Sequence, residues 1–198
     1  MKVVGVDLAG SERRPTGFCL LTRNLRVKTS LLYTDAEILF EINNISPQLI
    51  AIDAPLALPT GRSSLEERTN IHLRECDRQL LRMGIKFFPI TLGPMRKLTE
   101  RGIRLRKILE DKHLEVIEVY PGAAQDVLKM PRAKAGLEGL RGALVRYGMK
   151  GDVAKKSITD RELDAITSAL VGKMYVEGDY QAIGDPKEVL MILPRPRK

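Results

Sequence analysis

The sequence has no tryptophan, two cysteines, two histidines and only 5% aromatic residues in a chain of 198. Each scarcity excludes something. Cys19 and Cys76 stand in apolar or helical surroundings without CxxC spacing, so both read as free thiols, and neither a disulfide framework nor a zinc site is expected. His72 and His113 fall in no ligand pattern. Few aromatics argue against single-strand binding built on stacking platforms. No apolar run approaches the roughly 18 residues that span a bilayer, so no membrane partner is expected. The opening MKVVGVDLAG carries a carboxylate inside its apolar stretch and lacks the h-region of a signal peptide, and a cytoplasmic location is the expectation. A GxSxG elbow, a GxxxxGKS loop and a GxGxxG fingerprint are all missing, which removes the serine-hydrolase, P-loop and dinucleotide-binding signatures.

What is present is basic and globular. The formal net charge is +8 and the pI about 9.6, a balance that attracts polyanions and makes nucleic acid a natural partner. With 43% hydrophobic and 29% charged residues, the chain can build one sizeable core, and residues 1–198 read as one domain.

The pattern opens with three strands joined by short turns, Lys2–Leu8, Thr16–Thr22 and Arg26–Tyr33, an antiparallel meander. Thr34 or Asp35 caps a helix through Ile45, and Leu49–Asp53 is a continuous apolar strand of the kind buried on both faces. A helix between two strands of one sheet favours a parallel crossover. A helical insertion covers about 56–112, with helices over Leu65–Met83 and Pro94–Asp111. A strand at Leu114–Tyr120 follows, then helices over Ala123–Met130, Gly136–Tyr147 and Thr159–Val176, a basic loop at Gly148–Lys156, and a closing edge strand over Glu188–Leu193. The tail Pro194–Lys198 reads as frayed.

Against this frame several carboxylates stand out. Asp7 and Asp53 each end an apolar strand. Turn chemistry explains either one alone. The pair is more informative, because the strand order can place both acids at the same end of one sheet, where open α/β sheets hold their sites. Glu118 lies inside a strand, in VIEVYP, a setting that an edge position or a salt bridge with an arginine would explain. In the late helix, Thr159 and Glu162 form a capping box, and Asp160 suits the helix dipole. Asp164 has no such explanation. It lies beside the stripe Leu163, Ile166, Leu170 and Met174 and can lean toward the sheet end. Carboxylates grouped in this way are what two-metal phosphodiester hydrolysis needs, since hard divalent ions take oxygen ligands and require no histidine.

The blocks VGVDLAG, IAIDAPLALP, RECDRQL, IEVYPGAA, ELDAITSAL and IGDPKEVLMILP, spread from residue 3 to 194, resemble domain-of-unknown-function family 429, the predicted nucleases of ribonuclease-H-like fold. The resemblance implies an α/β fold with a mixed five- or six-stranded sheet, three antiparallel strands plus parallel strands, flanked by helices. It implies Asp7, Asp53 and Asp164 as metal ligands, Glu118 as a further catalytic acid, and Arg74 and Asp77 as residues lining the same cleft. Mg²⁺ or Mn²⁺ would be the cofactor and DNA or RNA the partner. A homodimer is an expectation by analogy with junction cutters of this fold. Two other functions share the pattern: a phosphotransferase or ATP-binding protein of the same superfold, for which Asp7-Leu8-Ala9-Gly10 is a near match, and a non-catalytic nucleic-acid-binding module.

Overall fold

The structure is a computed structural model and describes residues 1–196. Its frame is the expected antiparallel meander, β1 (Lys2–Asp7), β2 (Thr16–Thr22) and β3 (Arg26–Leu32), followed by α1 (Asp35–Ile45) and β4 (Leu49–Asp53). Thr34 caps α1 by accepting from the Glu37 N–H, and Glu37 reciprocates. Then come α2 (Glu75–Arg82), α3 (Gly93–Glu110), β5 (Val116–Val119), α4 (Pro121–Val127) and α5 (Leu137–Tyr147). The chain closes with β6 (Lys150–Gly151), α6 (Asp160–Val176), β7 (Tyr180–Ile183) and β8 (Met191–Pro194).

All the strands join one sheet in the order β6-β3-β2-β1-β4-β5-β8-β7. β1, β4, β5 and β8 run parallel, and β2 lies antiparallel to both β1 and β3. The sheet therefore has eight strands among the described residues, against the five or six expected. Relative to six strands, the two additions are β6 and β7. β6 lies in the supposed basic loop, where it pairs with β3 while the Asp152 carboxylate accepts from the Thr29 N–H at 2.9 Å. β7, a four-residue strand, takes the edge. β8, expected at the edge, lies between β5 and β7. Of the tail read as frayed, Pro194 ends β8, and Arg197 and Lys198 lie outside the described residues.

Side chains of alternate phase fill a core on each face of the sheet, and a third cluster packs beside α2 and β8. Val3, Leu49, Ala51 and Val119 pack under α5 and α6, while Val4, Val6, Ile50 and Ile52 pack under α1 and α3. α6 presses hard on the sheet. A Cβ at Gly5 would lie 2.1 Å from the Ala165 carbonyl oxygen, and one at Gly17 would lie 2.0 Å from that of Arg161. Only glycine admits a helix backbone so close.

The helix expected over Leu65–Met83 shrinks to α2. Arg62 is the reason. Its buried guanidinium donates to the carbonyl oxygens of Ser64, Leu65, Glu67 and Ile71 at 2.7–2.9 Å. Carbonyls gathered around one side chain are not available for a helical ladder, and the segment wraps Arg62 as an ordered loop. No helix among the described residues is long and apolar enough to cross a membrane.

Candidate active site

Strand alternation decides which acids meet. Asp7 has the phase of Val3, and Asp53 that of Leu49 and Ala51, so both carboxylates emerge on the α6 side of the sheet. They are direct partners in the parallel β1–β4 register, about one strand spacing, roughly 4.8 Å, apart along the backbone. α6 crosses above them and contributes Asp164 from its second turn. All three acids line one cleft of about 340 Å³ at the carboxyl ends of β1, β4 and β5.

Charge is crowded there. Burial pushes the Asp7 carboxyl up to about 7, with Arg161 pulling it down and Asp164 pushing it further up. Asp53 lies well above the usual carboxylate range, through burial and then the charges of Asp7 and Asp164. Asp164 is also raised by burial, against a hydrogen bond from Gln125. Desolvated like charges favour protonation unless a cation offsets them. One cation present is Arg161, whose Nη1 lies 3.1 Å from both carboxylate oxygens of Asp7. Gln125 Nε2 donates to Asp164 Oδ1 at 2.7 Å and to Thr167 Oγ1 at 3.2 Å, tying α4 to α6 and fixing the third acid.

The donor set is all hard oxygen, which suits Mg²⁺ or Mn²⁺. Among the described residues no three Asp, Glu, His or Cys side chains stand as a finished metal cage. Asp7 is turned toward Arg161, and Asp164 toward Gln125. The acids fit a divalent ion in chemistry and number, and Asp7 already carries the Arg161 guanidinium.

Glu118 is placed differently. It pairs in register with Ile52, one residue out of phase with Asp53, so its side chain leaves the sheet on the face opposite the three aspartates. It is 1% exposed. Its Oε2 accepts from Arg74 Nη1 at 2.7 Å and from the Leu56 N–H at 2.8 Å. Arg74, equally buried, also reaches Asp77 Oδ1 at 3.3 Å. The salt bridge that would account for a strand glutamate is therefore present, and Arg74 and Asp77 are no surface pair. Arg74, Asp77 and Glu118 line the cleft, yet they form a buried ionic cluster that anchors the start of α2 to β5 rather than a fourth arm of the aspartate group.

Sequence reasoning missed Arg161 and Gln125. Arg161 sits inside the capping box, which already accounted for its neighbours, although its i,i+3 spacing to Asp164 was a usable signal. Gln125 carries no local signal. Its role depends on α4 docking against α6. Asp160 and Glu162 behave as expected: Glu162 completes the cap, and its Oε1 also accepts from Thr29 Oγ1 at 2.7 Å.

The mixed sheet with helices on both faces has the ribonuclease-H-like fold. Solved structures of similar fold include two of RuvC. T. thermophilus RuvC in complex with Holliday junction substrate has a TM-score of 0.55 and 14% identity, covering 90% of this chain and 96% of that one. A further structure of Thermus thermophilus RuvC has a TM-score of 0.53 at 14% identity, covering 90% and 97%. At such identity the likeness establishes the fold. No curated protein matches the chain. The family does match: residues 5–189 fit "Protein of unknown function (DUF429)", and the chain belongs to that family.

Proposed function

We propose that the protein is a metal-dependent nuclease that hydrolyses phosphodiester bonds in DNA or RNA. The observation that carries this reading is the in-register pair Asp7–Asp53 beneath Asp164 in one cleft, where Asp7 is buried, Asp53 and Asp164 are half-buried, and burial pushes all three carboxyls upward. Such a cluster is destabilising by itself and becomes favourable with a bound cation. Asp7, Asp53 and Asp164 would hold Mg²⁺ or Mn²⁺. A divalent ion held there would supply an activated water and offset charge on the attacking and leaving oxygens.

The chain's own residues do the rest. Gln125 keeps the Asp164 carboxylate facing the cleft. Arg161, released from Asp7, becomes a free guanidinium beside the acids, where a phosphate oxygen can accept from it. Glu118 and Arg74 are positioning residues, holding the loop after β4 and the start of α2 against β5. The net charge of +8 favours a polyanionic partner. The likeness to RuvC supports the fold on which this reading rests.

The test is cleavage of single-stranded, duplex and branched DNA and RNA with Mg²⁺ or Mn²⁺. Asp7→Asn and Asp53→Asn should each lose about 10²-fold or more, as for loss of a principal transition-state stabiliser. Absence of cleavage by the unaltered protein, or equal cleavage by Asp7→Asn, ends the proposal.

A further inference from the structure

Beside the aspartates, part of the cleft is lined by aromatic side chains. Three of the nine Phe and Tyr residues, Phe87, Phe88 and Tyr120, line it. Phe88 is 60% exposed, and looseness does not explain that exposure. Its neighbours Ile85 and Ile90 are buried, and Phe87 packs into the core beside α2. Tyr120, at the end of β5, donates its hydroxyl to the Lys86 carbonyl at 2.8 Å, which pins the strand end to the Phe87–Phe88 segment. The chain on either side of Phe88 is anchored and its ring is held out.

Two cations complete this rim. The Arg132 guanidinium carbon lies 5.8 Å from the Tyr120 ring centroid, and its Nη1 donates to the Tyr120 hydroxyl at 3.4 Å. Lys134 Nζ lies 5.6 Å from the centre of the Phe88 ring. Arg132 is also paired with Asp126, whereas Lys134 has no salt bridge among the described residues. Lys134 is close enough to Asp164 to draw that carboxyl downward, so the rim and the acid cluster are neighbours. A cleft of about 340 Å³ is of small-ligand size, and no duplex fits within it.

We propose that this aromatic–cationic rim is a subsite for one unpaired nucleotide, with the base stacked on Phe88 and the attached phosphate on Lys134. An exposed aromatic face with an uncommitted ammonium over it matches a base joined to a phosphate. A purely anionic ligand would leave Phe88 without a role, and an apolar one would leave Lys134 without one. The inference rests on the nuclease reading for its meaning and narrows the substrate class: the strand presented to the aspartates carries an unpaired base next to the phosphate, as at a single strand, flap or bulge, or after base flipping.

The test uses the full chain in chelator, so that binding is read without cleavage. The probes are a blunt duplex, the same duplex with one unpaired thymidine, and that duplex with an abasic unit at the unpaired position. The thymidine duplex should bind about tenfold or more tightly than the other two. Phe88→Ala, a surface change, should lose about ten- to hundredfold for the thymidine probe only, as expected for one stacked base. Phe88→Tyr should restore binding. A fluorescent base analogue at the unpaired position should change emission on binding the unaltered protein and not on binding Phe88→Ala. Equal affinity for the thymidine and abasic probes, or an unchanged Phe88→Ala, overturns the subsite and leaves the cleavage assay unaffected. Base-dependent binding together with absence of metal-dependent cleavage would instead retain the subsite and remove the nuclease reading.

Discussion

Arg161 Nη1 touches both carboxylate oxygens of Asp7 at 3.1 Å, and these two residues, 154 positions apart, form the only ion pair that Asp7 makes among the described residues. The contact is built into the backbone. Gly17 is the antiparallel partner of Asp7, and its missing Cβ lets the Arg161 carbonyl settle where a side chain would stand. A helix start is thereby brought down onto a strand end, and a guanidinium is set within the acid group.

An arginine in that place would compete with a divalent cation held by Asp7. Arg161→Ala should bind Mn²⁺ about tenfold more tightly than the unaltered protein in calorimetry, equivalent to roughly 1.4 kcal/mol, with Arg161→Lys between the two. The side chain is about one-third exposed, so screening keeps the effect modest. Weaker Mn²⁺ binding in Arg161→Ala would mean that the arginine assists the ion instead.

The raised acids make stability depend on pH with a definite sign. The folded Asp7 carboxyl is pushed up to about 7 by burial, while the unfolded one keeps its ordinary value near 3.8. Between these values the folded chain binds a proton that the unfolded chain has released, so stability falls as pH rises from about 4 to about 7 and levels off above. Asp53 and Asp164 act in the same direction. In chelator, Asp7→Asn should raise Tm at pH 8 by several degrees and flatten its pH dependence, given about 2–4 °C per kcal/mol for a chain of this size. A Tm that climbs from pH 5 to 7 in the unaltered protein and falls in Asp7→Asn would contradict the assignment.

The Arg74–Glu118 pair is buried on both sides. Removing one partner strands the other charge away from water. Glu118→Ala and Arg74→Ala should each lose about 3–5 kcal/mol in urea unfolding. Exchanging both for well-packed apolar residues should lose much less. If Glu118→Ala unfolds at the same urea concentration as the unaltered protein, the cluster does not hold α2 to β5.

Gly17→Ala should destabilise by at least about 2 kcal/mol, because the obstructing atom is helix backbone and not a flexible side chain. Gly93→Ala meets nothing within 4 Å and should stay within about 0.5 kcal/mol, as surface changes usually do. Similar losses at both positions would show that close approach of α6 is not the cause.

Much of the site was legible early, and the reasons are particular. Asp7 and Asp53 interrupt apolar runs at their ends, so burial and strand termination could both be read from neighbouring residues. Asp164 emerged by elimination, once the capping box had accounted for Asp160 and Glu162. Glu118 was legible as an anomaly and not as a place. Its partner Arg74 is 44 positions away, and its face depended on a register with Ile52 that no local pattern states. The helix expected over Leu65–Met83 failed for a similar reason: charge and spacing were helical there, but Arg62 captured the carbonyls. Few aromatics gave no sign that three of them, Phe87, Phe88 and Tyr120, would gather on one cleft.

By itself the sequence determined the meander, the crossover through α1, the caps of α1 and α6, and the acids at two strand ends. These follow from periodicity and from hydrogen bonds between residues three or four apart, interactions short enough to be written in neighbouring positions. Only the tertiary structure decided that Asp7 and Asp53 stand in register, that Glu118 faces the other way, that Arg161 is the cation on Asp7, and that Phe88 and Lys134 share a rim. Each of these depends on strand phase or helix docking between distant segments, where a shift of one residue reverses the face and no local preference chooses.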